Sequence, residues 1–389
     1  MKFEVSGQNL TIYLSGRIDS TNADSISAEL SGIVSSNPHA GLVLDAEELQ
    51  YISSAGLRII LKLRKDNPGL RIVEVSSEVY EIFDITGFTE MIGIEKAYRK
   101  MSVEGCKVLG QGSNGVVYRY DPEIVVKVYR NPNAIDDIKR ERELARKALV
   151  LGIPTAIPFD VVRVGDRFAS VFELLNARSF SSIIREEPEK TDHVVGLFSG
   201  LLRQIHDTEV RPEDMPDMKQ TAVKWVEFLK DYLPEDSYCK LSGMVSAVPE
   251  RHTMIHGDYH TNNVEMQNDE ILLIDMDTLS WGHPVFELAS MYLGFVGFGE
   301  TDSSATEKFL GLPYATANYV WNRTLQDYLG TDDPARIKEV EDKARVMGYT
   351  RLMRRTIRRE SDTEAGQKLI AHCREKLLAL LETVDTLDF

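Results

Sequence analysis

The chain is short of cysteine, of basic charge and of long apolar runs, and each shortage excludes a class of protein. Cys106, Cys239 and Cys373 are odd in number, far apart and without metal-ligand spacing, so a reducing compartment is expected rather than a disulfide framework. Basic residues number 45 against 61 acidic ones, a formal charge of −16, which disfavours phosphate backbones and argues against a nucleic-acid partner. No stretch approaches the ~18 uninterrupted apolar residues of a membrane span. Met1-Lys2-Phe3-Glu4 carries charge with no apolar segment behind it, so a cytoplasmic protein with no membrane partner is expected. Repeats and low-complexity tracts are also missing. What is present is bulk: 389 residues, 43% of them hydrophobic, enough for about two or three ordinary domains.

The first hundred residues have an α/β pattern. Leu10, Ile12 and Leu14 alternate with polar neighbours as in a strand, with a turn expected at Gly16. A helix follows over 20–36 with an apolar stripe at Ile26, Leu30 and Ile33. Gly41 to Asp45 has the continuous apolar character of an interior strand. Tyr51-Ile52-Ser53-Ser54-Ala55-Gly56-Leu57 opens another helix, 70–75 is a further strand, and 77–88 a further helix. Strands alternating with helices predict a mixed or parallel sheet under helical cover. On Leu42-Val43-Leu44-Asp45 followed by Tyr51 to Arg58, this stretch resembles the STAS family, the anti-sigma-factor antagonist domain. In that family the residue just before the glycine is the regulatory phosphoacceptor; here it is Ala55. Ser53 and Ser54 lie beside it, and an N-cap serine is a sufficient structural role for either.

Near Met101 the pattern changes without a Pro- or Ser-rich tether, so two closely coupled domains are expected, 1–101 and 102–389. Gly110-Gln111-Gly112-Ser113-Asn114-Gly115-Val116-Val117 is a Gly-x-Gly-x-x-Gly-x-Val loop. Dinucleotide-binding folds share the glycines but need a helix directly after them. Here the β-branched runs 116–120 and 124–129, parted by Asp121-Pro122, make a hairpin of the kind that covers phosphates. Lys127 sits on the second strand among apolar residues, where a lysine needs an anionic partner. Further on, His256-Gly257-Asp258 is followed by Asn263, by the apolar strand 271–274 and by Asp275-Met276-Asp277. One carboxylate to orient an attacking hydroxyl, with an amide and a second carboxylate for magnesium, is what ATP-dependent phosphoryl transfer uses.

With Gly282-His283-Pro284 and Glu287-Leu288-Ala289, these motifs make residues 103–389 resemble the aminoglycoside phosphotransferase and choline kinase group of the protein-kinase-like fold. The resemblance implies an α/β STAS-like domain plus an α+β two-lobed protein-kinase-like domain, its N-lobe about 102–175 and its C-lobe about 176–389. It implies Asp258 as the catalytic acid or base and Asn263 and Asp275 as the Mg2+ ligands. ATP would be held by Gly110, Gly112, Gly115, Val117, Lys127, Glu141 and the hinge backbone of Glu173 and Leu175. Glu141 is preferred to Glu143 as the partner of Lys127, and Asp277 either assists the metal or caps a turn. His256 is expected to brace the catalytic loop, and His206 to be a packed helix residue. A hydroxyl-bearing acceptor is implied but not identified, and the STAS-like part implies a possible protein partner. The alternative reading is a non-catalytic nucleotide-sensing regulator in a partner switch of the anti-sigma-factor antagonist type.

The acceptor pocket is expected in the helical region after Asn176, whose acid-rich composition suits a cationic substrate or merely a soluble surface. Arg351, Arg354, Arg355, Arg358 and Arg359 recur at i, i+3, i+4, i+7 and i+8, a basic helix face. It is expected to be solvated or paired with carboxylates, an acceptor or partner role being the alternative.

Overall fold

Leu10, Ile12 and Leu14 are at most 1% exposed in the computed structural model, which describes residues 1–112 and 114–389; Ser113 of the glycine motif lies outside them. Their alternation places one face of a strand in the core. The chain divides into two units, Met1–Ser102 with Val161–Asp166, and Val103–Asp160 with Arg167–Phe389. Each has its own apolar core.

In the first unit five strands lie in chain order, β1 (Phe3–Ser6), β2 (Asn9–Ile18), β3 (Gly41–Ile52), β4 (Arg71–Val75) and β5 (Gly93–Lys96). β1 runs antiparallel to β2 and the remaining pairings are parallel, so the sheet is mixed. Gly16 does not end β2 as the sequence predicted. The strand continues to Ile18 through an irregularity in which Gly16 takes φ +68°, the bulge use of a left-handed residue. Likewise β3 runs on to Ile52, and β1 and β5, only four residues each, escaped the periodicity. The first helix starts at Ala23, not residue 20, because Asp19 and Asn22 side chains accept from Thr21 and Asp19 backbone N–H groups and hold the preceding turn. The helix Ser54–Asp66 is capped by Ser53, whose Oγ accepts from the Ala55 N–H at 3.2 Å. Gly56 in its first turn lets it pack closely, since a Cβ there would fall 2.6 Å from Ile52 and 2.8 Å from Ile18.

The second unit begins with the strands Lys107–Gln111, Gly115–Arg119, Ile124–Tyr129 and Arg167–Glu173, consecutive antiparallel neighbours. The glycine motif is therefore a hairpin, as the sequence predicted. The helix Ile135–Val150 buries Ile138, Leu144, Ala145 and Ala148, and among them Glu141. Beyond Leu175 the unit is mainly helical around Val285–Phe295, every residue of which is buried. A helix apolar all round needs cover on every side; Pro334–Glu360 and Tyr314–Leu329 supply much of it. No helix among the described residues is long and apolar enough to cross a membrane.

His206, near the end of the helix Thr191–Asp207, is 6% exposed. Its Nδ1 lies 2.8 Å from the Tyr328 hydroxyl, and its Nε2 is buried without a partner. Burial, helped by His283 and Arg251, pushes its pKa down to about 3, so the folded protein keeps it neutral. The unfolded chain binds this proton near pH 6.5 and the folded one does not until about 3. Stability therefore falls as pH drops through that window. In thermal melts between pH 7 and 4, His206→Gln is expected to flatten the acid-side loss of the melting temperature; a slope identical to that of the wild type would contradict the assignment.

Candidate functional site

Lys127 gathers the site. From its strand the ammonium reaches Glu141 Oε1 at 2.9 Å and, across the cleft, Asp275 Oδ1 at 3.1 Å. Burial disfavours its charge, but Asp275 and Glu141 outweigh burial and hold its pKa above the ordinary value, so it stays cationic. Glu141 is shared with the Tyr129 hydroxyl at 2.7 Å, while Glu143 pairs with Arg146 at the surface.

A cavity of about 360 Å³ opens beside this network. Gly112, Gly115, Val117, Lys127, Glu141, Glu173, Leu175, Asn263 and Asp275 line it, together with apolar Val125, Ala156, Pro158 and Met276. Gly110 does not; it precedes the turn. Gly115 is required by close approach, since a Cβ would fall 2.4 Å from the Val128 carbonyl oxygen. The periodicity gave no sign of Ala156 or Pro158, from an irregular segment, or of Met276, from a single short 3-10 turn.

Asp258 lies on a loop fixed from several sides. The Glu287 carboxylate accepts from the His256 N–H at 2.5 Å and from the Gly257 N–H at 3.0 Å. His256 Nδ1 accepts from the Asp258 N–H at 3.3 Å, and its Nε2 lies 3.2 Å from the Ile274 carbonyl, the bracing role read from the sequence. Tyr259 stacks on Phe198 at 4.4 Å and donates to its carbonyl oxygen. Asn263 Nδ2 donates to the Asp258 carbonyl oxygen at 2.9 Å. Gly257 takes φ +83° with the Thr278 oxygen where a Cβ would be, so only glycine fits this turn. Burial pushes the Asp258 carboxyl up, but His260, Arg351 and His256 pull it down to about 2. It is an anion at neutral pH. Burial also pushes Glu287 up to about 7 against the pull of the N–H groups it accepts from.

Asp275 is itself left-handed, φ 65°, a conformation that costs a non-glycine residue of the order of 1–2 kcal/mol. It turns the chain sharply at the end of the strand. Asp277, pushed up to about 7 by burial, Asp275 and Glu141, accepts from Asn114 of the glycine loop at 2.6 Å. Its placement within this carboxylate group was not fixed by the sequence.

A second cavity, of about 410 Å³, holds Asp258 and shares Asn114 and Asp275 with the first. Five of the seven arginines of Pro334–Glu360, the row Arg351, Arg354, Arg355, Arg358 and Arg359, line it. The face is solvated in part, Arg355, Arg358 and Arg359 being exposed, but it is not paired with carboxylates: among the described residues none of the five has an ion-pair partner within 4.0 Å. The cavity therefore combines this basic face with the carboxylates of Asp258, Asp275 and Asp277.

This arrangement of hairpin, buried lysine pair and braced acidic loop agrees with comparison at the family level. The model of the phosphotransferase enzyme family matches residues 105–316. The chain belongs to that family. Ahead of this phosphotransferase domain, residues 1–101 match the STAS domain model. They are 38% identical over 89 residues to the protein named "Putative anti-sigma factor antagonist BtrV" from Bordetella bronchiseptica, covering 22% of this chain and 76% of that one. Among solved structures, ADP-bound aminoglycoside phosphotransferase APH(2'')-Ib is 16% identical, with a TM-score of 0.48, over 72% of this chain and 96% of its own. A choline/ethanolamine kinase family protein from Mesorhizobium loti is 14% identical, with a TM-score of 0.47, over 72% and 88%.

Removing the carboxylate behind the acidic loop tests how that loop is held. Glu287→Leu leaves two buried N–H groups without acceptors and is expected to cost about 2–4 kcal/mol in chemical denaturation, while Glu287→Asp retains most of the stability. Equal midpoints for Glu287→Leu and the wild type would show that the loop stands without it.

Proposed function

We propose that the protein transfers the γ-phosphoryl group of ATP to a hydroxyl on a small acceptor. The observation that carries this reading is that two cavities meet at Asn114 and Asp275, one beside Lys127 and the other at Asp258. The first has the apolar walls and few convergent polar groups of a nucleotide site, and Lys127 is the charge for its phosphates. The second presents a carboxylate to an acceptor.

The donor set suits magnesium. Asn263 and Asp275 offer hard oxygen ligands, and no group of three His, Cys, Asp or Glu side chains among the described residues encloses a metal unaided. That is the Mg2+ pattern, one or two protein ligands with substrate phosphates completing the shell. Bound there, Mg2+ would neutralise charge on the phosphates. Crowding of Asp275 and Asp277 leaves negative charge for such a cation to offset.

Asp258, with a pKa near 2, is too weak a base to strip a hydroxyl early. It acts by orienting the acceptor hydroxyl and taking its proton late, as a loose transition state allows. The braced loop fixes that carboxylate, which is where positional catalysis comes from. Intact Lys127, Asp258, Asn263 and Asp275 favour catalysis over a purely nucleotide-sensing role. The STAS domain, with Ala55 where a phosphoacceptor would stand and Ser53 engaged as a helix cap, is proposed to dock a protein partner rather than act as a phosphorylation switch.

Calorimetry and turnover separate these roles. Asp258→Asn is expected to abolish phosphoryl transfer while ATP affinity stays within a few-fold. Lys127→Ala and Asp275→Ala are expected to weaken Mg-ATP binding tenfold or more. Full turnover in Asp258→Asn, or unchanged affinity in both of the others, would remove the basis of the proposal.

A further inference from the structure

We propose that the acceptor is an anion: a small hydroxyl compound carrying a phosphate or carboxylate group that the arginines of Pro334–Glu360 hold while its hydroxyl faces Asp258. The inference rests on the phosphotransfer reading above and adds the charge class of the acceptor to it.

The arginines are built into the cavity wall. Arg351 lies over Trp225 at 5.4 Å, Arg354 over Phe228 at 5.7 Å and Arg355 over Phe298 at 5.4 Å. A cation placed over an aromatic face is held there by the ring's quadrupole, which restricts where the guanidinium can go. Arg351 is additionally tied down, donating to the Gly257 carbonyl oxygen at 3.0 Å and to Ser290 Oγ at 2.7 Å. Its place is beside the catalytic loop. Arg354 Nε is buried with no hydrogen-bond partner, and Arg355, Arg358 and Arg359 are exposed. Acidic side chains were available on this helix, for Arg336 pairs with Glu339 and Arg345 with Asp342 about two to four turns before Arg351. The five that face the cavity have no such partner, and those nearest one another repel. Clustered, oriented and unneutralised guanidinium groups in a chain of net charge −16 are a recognition surface for phosphate or carboxylate, which the arginine fork grips bidentately.

The spacing adds a length. Arg351, Arg355 and Arg359 form one row, and at 1.5 Å per residue Arg355 and Arg359 lie about 6 and 12 Å along the helix from Arg351. An acceptor whose anionic group sits several bonds from its reacting hydroxyl fits that reach, and about 410 Å³ holds a molecule of that size rather than a folded protein. In the transfer, the acceptor oxygen attacks the γ-phosphorus and forms the new P–O bond. The bond from that phosphorus to the β,γ-bridging oxygen breaks, its electron pair leaving with ADP. The hydroxyl proton passes to the Asp258 carboxylate and then to water.

The test uses the full-length protein with Mg2+ and ADP, titrated with glucose 6-phosphate, glucose and the cationic aminoglycoside kanamycin, in the wild type and in Arg355→Gln/Arg358→Gln. The expected result is that glucose 6-phosphate binds at least tenfold more tightly than glucose, that the double variant loses at least tenfold of this, and that its affinity for ADP changes less than twofold. Inorganic phosphate, which carries no hydroxylated carbon skeleton, is expected to compete with glucose 6-phosphate. Kanamycin or glucose binding as tightly as glucose 6-phosphate would overturn the inference. So would an equal loss of ADP affinity in the double variant, which would assign the arginines to the nucleotide. Wild-type protein that binds glucose 6-phosphate through these arginines but never binds ATP would instead defeat the phosphotransfer reading and leave the anion site standing.

Discussion

A buried ammonium between two carboxylates is the constraint on which the second unit depends. Lys127 belongs to a strand, Glu141 to a helix packed on that sheet, and Asp275 to a turn in the other lobe, so one charge registers three elements. Leaving a buried charge without its partner costs about 3–5 kcal/mol; the figure applies to Glu141, and is smaller for Asp275, whose side chain is 38% exposed. The asymmetry has a functional sense. The pair with Glu141 is the fixed one, and the contact with Asp275 is the one that the phosphates and cation of the proposed reaction would reorganise.

The acidic loop is organised differently, by one buried acid, a hydroxyl and a guanidinium acting on backbone groups. Glu287 takes two backbone N–H groups, Ser290 donates to the Gly257 carbonyl oxygen, and Arg351 donates to the same oxygen. Glu287 and Ser290 come from the fully buried helix Val285–Phe295, so the rigidity of that helix is passed to Asp258. Arg351 joins the loop to the arginine row. The same residue thus helps set the electrostatics of the carboxylate and begins the surface proposed to hold the acceptor, which couples the position of the hydroxyl to the position of its anion.

What the sequence made legible is what local spacing controls. The glycine hairpin followed from two β-branched runs around Asp121-Pro122. Glu141 is preferred to Glu143 on the spacing to Gly152-Ile153-Pro154 that the family resemblance implies, and the structure buries it with Ile138 and Leu144. Asn263 and Asp275 flank the strand pair Val264–Gln267 and Glu270–Leu273, which brings the two ends together; only the second of these strands was legible in the sequence. Gly16 misled because a bulge and a turn ask the same thing of a residue, a positive φ. The arginine face was legible in its periodicity but not in its surroundings, because Trp225, Phe228 and Phe298 come from segments more than fifty residues away in the chain. Composition left the charge of the pocket open, since it averages over the surface, and a cavity is not an average.

The central claim is that these carboxylates and this lysine are arranged for a nucleotide with its cation. Titration calorimetry of the full-length protein with ATP, in Mg2+ and then in EDTA, tests it most directly. The account predicts one site per chain, occupied at least tenfold more tightly with Mg2+ than without. Affinity independent of the cation, or no binding under either condition, would contradict it.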